Sequence, residues 1–97
     1  MKVTSAQPQK IFMPTQDQLK AAYSSAVDSA TKNHTLKALK GAPVGASKVA
    51  PLDITKKGVL GVDKKVYNIG GELYLKSQVV APNAKPSWFK VGPAPLF

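Results

Sequence analysis

Two hydrophobic rhythms divide this chain, and together they leave few folds open to it. Leu19, Ala22, Tyr23, Ala26, Val27 and Ala30 recur at helical spacing and form one apolar stripe. After Gly58 the period falls to two, the alternation of half-buried strands. A helix stripe followed by alternating segments predicts an α+β fold. An N-terminal amphipathic helix packs on a small antiparallel sheet, and both termini are extended.

The helix start is written in the sequence. Thr15 and Gln18 have the spacing of a capping box, in which the hydroxyl and the amide satisfy each other's backbone N–H groups. Asp17 puts negative charge in the first turn, where it complements the helix dipole. Lys20, Ser24, Ser25, Asp28 and Lys32 take the polar side of a helix predicted over 16–33, and its mostly alanine stripe requires a close partner. Leu36 and Leu39 fall about a quarter turn or more off that stripe. The helix is therefore expected to break at Asn33-His34-Thr35, with Asn33 or Thr35 capping a short second helix that Gly41 and Pro43 end. Residues 41–58 contain no aromatic and read as a long surface loop that touches a sheet edge near 52–54.

Strands are predicted at 59–62, 65–69, 72–80 and 87–91, with Pro82 and Pro86 ending strand character between the last two. Gly70-Gly71 suits a two-residue hairpin turn, because both positions tolerate positive φ. That register sets Tyr67 opposite Tyr74 and Lys65 opposite Lys76 on one face, with Val66, Leu73 and Leu75 on the other. A four-residue loop over 68–71 would shift the pairing instead. The domain plan is an arm over 1–14 and one small domain over 15–97, with the loop 41–58 and an extended tail 92–97.

Chemistry is sparsely provided. The 97 residues hold 14 basic side chains, all lysine, against five acids, one histidine and no cysteine, for a net charge of +9. Lysine is a point charge, whereas bidentate reading of guanine edges and phosphate pairs is the work of arginine, so sequence-specific DNA reading is not expected. The lysines fall seven in 1–48 and seven in 49–97, an even spread that reads as a solvated basic surface. Lys32, Lys37 and Lys40 read as dipole partners at helix ends. With no second histidine and no cysteine, no His- or Cys-based metal cluster is expected. His34 is read as a helix-end residue rather than a catalytic base, and the singly placed acids make no acid/base pair. No phosphate-binding glycine motif is present, so the chain is expected to be non-catalytic and without cofactor. No apolar run of membrane-spanning length occurs and no signal peptide is expected. Cysteine usage fits a reducing cytoplasm or a virion interior.

Two binding candidates remain. Tyr67 and Tyr74 flanked by Lys65 and Lys76 could stack bases and neutralise phosphates, or simply pack under the helix or against the C-terminal segment with the lysines at the rim. Trp88 and Phe89 point to opposite sides of a strand, and the apolar Leu96-Phe97 must fold back into the core or dock on a partner. Extended, apolar-tipped ends favour a non-catalytic interaction or assembly subunit, such as a small virion or multi-subunit-complex structural component, bound to a protein partner or to copies of itself. The alternatives are a sequence-nonspecific, single-strand nucleic-acid-binding module and a basic inhibitor that docks on an acidic host enzyme.

Overall fold

The computed structural model describes residues 14–56, 58 and 61–96. It is an α+β domain built from α1 (Gln16–Lys32), β1 (Lys37–Leu39), β2 (Leu52–Asp53), β3 (Val62–Ile69), β4 (Glu72–Val79) and β5 (Ser87–Pro93), with a 3-10 turn at Ala46–Lys48. Apart from Pro14, the expected arm lies outside the described residues.

α1 begins as its sequence dictates. The Thr15 hydroxyl accepts from the Gln18 N–H at 3.1 Å, and the Gln18 side chain accepts from the Thr15 N–H at 2.8 Å. Its end falls at the expected break. Asn33 is the C-cap and His34 adopts a left-handed φ of 58°. The Thr35 N–H then reaches the Ala30 carbonyl at 2.8 Å and the His34 N–H reaches that of Thr31 at 3.3 Å. This Schellman closure turns the chain out of the helix. No second helix follows, and Gly41 caps none, because the chain enters β1 and pairs with β5 through Lys37↔Lys90, Ala38↔Phe89 and Leu39↔Trp88. Leu39 departs from the helical stripe because it belongs to a strand. A non-glycine residue held in the left-handed region stores strain that glycine would release, at some cost in unfolded-state entropy. His34→Gly is therefore expected to raise stability by about 0.5–1 kcal/mol in urea unfolding. An unchanged midpoint would mean that the imidazole has a compensating role at that turn.

The five strands form one antiparallel sheet in the order β1-β5-β4-β3-β2. Gly70 and Gly71, at φ 60° and 84°, make the two-residue turn between β3 and β4, and the Asn68 side chain accepts from the Gly71 N–H at 3.0 Å. Positive φ at both central positions matches the twist of the flanking strands. Tyr67 accordingly faces Tyr74, and Lys65 faces Lys76, in the expected register. β3 starts at Val62, earlier than the predicted 65, while residues 59 and 60 lie outside the described set. β5 continues through Gly92 to Pro93, where the sequence reading had placed the tail. A bulge between Leu73 and Tyr74 lets the β4–β5 ladder absorb Val91 as an extra residue.

α1 covers one face of the sheet. Tyr23 and Val27 meet Ile54, Val66, Leu73 and Leu75 there, with Leu19, Ala22, Ala26, Leu52, Phe89 and Val91 packed around them. The small alanines let the helix approach closely, and the Tyr23 hydroxyl accepts from the Asn68 amide at 3.1 Å. The other face is covered by the chain itself. β1 and β2 lie at opposite edges of the sheet, so residues 40–51 must carry the chain across. Gly45 marks the route: with φ at 94°, a Cβ added there would stand 3.1 Å from the Ile69 side chain, which alternation puts on the face away from α1.

Candidate functional site

The strands bring the Tyr67, Tyr74, Lys65 and Lys76 group together as the sequence implied, on the face opposite α1. They add a member the sequence placed elsewhere. Trp88 of β5 is opposite Lys76 in register, and its ring meets that of Tyr67 over the intervening β4, with centroids 5.1 Å apart and planes tilted by 52°. The Lys76 ammonium lies 5.8 Å from the centre of the Trp88 ring, within cation–π range.

This group is a second apolar layer. Tyr67 is 8% exposed and Trp88 7% exposed, although neither belongs to the cluster under the helix. Only Tyr74 among the three keeps a half-buried ring. Bases stack on open aromatic faces, and these rings offer little. The crossing segment reaches this face at Ile69, and Tyr67 packs not under α1 but on Trp88 of the C-terminal segment, the other arrangement open to it from the sequence. Phe89 points the other way, half-buried against the helix-side core.

The lysines are distributed by partner. The Lys65 ammonium stands 3.8 Å from Asp53, and that of Lys90 stands 3.4 Å from Glu72. Asp53 is held below the ordinary carboxylate range, first by the Thr55 N–H that it accepts at 2.9 Å, then by the Thr55 hydroxyl and by Lys65 and Lys20. Two cross-strand pairs are lysine on lysine, Lys65↔Lys76 and Lys37↔Lys90. Like charges directly opposite on one face destabilise a sheet. Asp53 and the Trp88 ring relieve the first pair, whereas in the second Glu72 answers Lys90, and among the described residues Lys37 has no acid partner.

The even spread of lysines hid a real asymmetry, because the acids are not evenly spread. All five acids are Asp17, Asp28, Asp53, Asp63 and Glu72, so residues 29–52 and 73–97 contain none. Those acid-free stretches build β1, β5, the crossing segment and the β4–β5 connection. This signal was legible in the sequence, but only the sheet order makes it an edge.

At the other end of the molecule the tail is fixed before it is free. Pro93 pairs with Glu72 in register, the Ala94 N–H donates to the Gly71 carbonyl at 2.8 Å, and Ala94 packs on the core. Leu96 is then 97% exposed. Phe97 lies outside the described residues. Val44 and the adjacent Val79 and Val80 are also exposed.

A cavity of about 210 Å³ opens between α1 and the β2–β3 edge. Its polar lining is Ser24, Thr55, Lys64 and the Asp28–Lys56 ion pair at 3.8 Å. His34 is exposed at the helix end and takes no part in it. Among the described residues no three histidine, cysteine or acidic side chains converge, and no helix is long and apolar enough to cross a membrane. Comparison with protein-family models, with curated proteins and with solved structures gives no match, so the reading of this surface rests on its own geometry.

Proposed function

We propose that the protein is a non-catalytic association subunit that docks on a protein partner, or on copies of itself, through its C-terminal end. The observation that carries this reading is the tail. Its base is held by sheet pairing and core packing through Ala94, and its next large apolar side chain, Leu96, is almost fully exposed. A leucine so presented gains from burial in a partner, by about 1.5–3 kcal/mol for the side chain. A short segment held in place at its base also has less freedom to lose on binding than a free chain end. The sparse inventory supports the non-catalytic part of the reading, since the single histidine stands apart on a helix end.

Removal of residues 96–97 is expected to leave the unfolding midpoint nearly unchanged. It should weaken self-association, or retention of a co-purifying partner, about tenfold or more, as sizing and sedimentation would read. The cut must fall after Pro95, because a deletion from Pro93 would also remove a β5 residue and a core contact. Unchanged association by the folded truncation would move the interface away from the tail. Loss of folding would assign those two residues to the core and defeat the proposal.

A further inference from the structure

We infer that the β1–β5 edge is a second binding surface, one that takes the phosphate backbone of double-stranded nucleic acid without reading its sequence. Four observations converge on it. Lys32, Lys37, Lys40 and Lys85 are exposed along this side of the domain, at the end of α1, on and just after β1, and before β5. Among the described residues none of these four ammonium groups has an ion-pair partner, whereas Lys56, Lys65 and Lys90 each have one. The acids that could neutralise the edge are absent from the segments that build it, and Glu72 reaches it only at Lys90. Finally, the directly opposed Lys37 and Lys90 are a like-charge pair in which Glu72, on β4, answers Lys90 alone. A bound anion would relieve that repulsion.

Phosphodiester backbone fits this surface better than bases do. Lysines act as point charges that neutralise phosphates and release counterions, with no demand on base identity. Lys37 lies on β1 and Lys40 directly follows it, while Lys85 precedes β5, the strand paired with β1. That places several charges along one edge within reach of a single duplex face. The two buried rings, Tyr67 and Trp88, are closed to stacking. Stacking is what would favour a single strand, so a duplex, with its denser phosphates, is the better ligand.

The test measures binding of the full chain to a fluorescent 20-base-pair duplex of arbitrary sequence, and to one of its strands, as salt is varied. The triple variant Lys37→Gln, Lys40→Gln and Lys85→Gln is expected to lose affinity about tenfold or more and to lower the slope of log K against log salt by about two to three. The equally discharged variant Lys20→Gln, Lys56→Gln and Lys64→Gln, on the opposite edge, is expected to lose less than half as much slope. Equal losses in both variants would mean that only net charge matters, and would overturn the site. So would tighter binding of the single strand, or equally tight binding of polyglutamate. Unchanged affinity with new self-association would show the lysines to be guards of an edge strand, and would also overturn it. The chain lacking residues 96–97 should bind duplex normally, which separates failure of this surface from failure of the tail.

Discussion

Trp88→Ala is expected to destabilise the protein by about 3–5 kcal/mol. Small domains have roughly 5–15 kcal/mol to lose, so this change alone should remove a large share of stability. The size of the effect follows from burial on a face that carries no helix. Trp88 is 7% exposed, touches Tyr67 ring to ring and lies under the Lys76 ammonium. Truncation would leave a large hole beside Tyr67 on the face away from α1, where no helix packs to refill it. Urea unfolding followed by circular dichroism measures the loss, and Trp88→Phe should recover much of it. A near-normal midpoint for Trp88→Ala would mean that the ring is an open recognition surface. That result would restore the stacking platform which the buried rings argue against.

The elements that were legible in the sequence are those whose causes lie within a few residues. The capping box needs only Thr15 and Gln18, and the hairpin register needs only Gly70 and Gly71 between alternating segments. β1 is not legible in the sequence because its cause is remote. Three residues after a helix become a strand only because Trp88, Phe89 and Lys90, about fifty positions later, present a sheet edge to them. The stop at His34 was placed correctly but for an incomplete reason, since a histidine with positive φ leaves no compositional mark. The crossing was hidden for a similar reason. The small residues of 41–51 read as loop, and apart from one 3-10 turn they are loop, but their approach to Ile69 on the face away from α1 depends on β1 and β2 taking opposite edges. That arrangement decides the fate of the candidate site. Tyr67, Tyr74, Lys65 and Lys76 share a face as their spacing requires, yet two buried aromatics turn the face into a core layer, while the basic edge lies on strands whose neighbours the sequence did not disclose.

Leu73→Ala should cost about 3–5 kcal/mol, for a complementary reason. Leu73 is fully buried at the centre of the helix-side cluster, where α1 contributes Tyr23 and Val27 and the sheet contributes Val66 and Leu75. Its backbone is held from both sides, opposite Asn68 on β3 and Gly92 on β5, so the strand cannot shift inward to refill the space. The lost transfer energy and the unfilled cavity therefore both appear in the measured value. Leu73 and Trp88 lie on opposite faces of the sheet, and Trp88 stands outside the cluster that holds Leu73, so their effects should add to within about 0.5 kcal/mol. The combined alanine variant would then lose roughly 6–10 kcal/mol, enough to leave a domain of this size largely unfolded. The milder pair Leu73→Val and Trp88→Phe keeps the comparison measurable in a folded protein. Additive losses in that pair would establish two independent apolar layers, one under the helix and one on the opposite face of the sheet. A coupling above about 1 kcal/mol would instead show the two faces sharing strain through the sheet. In that case a ligand on the lysine edge could be felt by the helix, because β5 carries both Trp88 and Phe89 and borders the strand that bears Lys37.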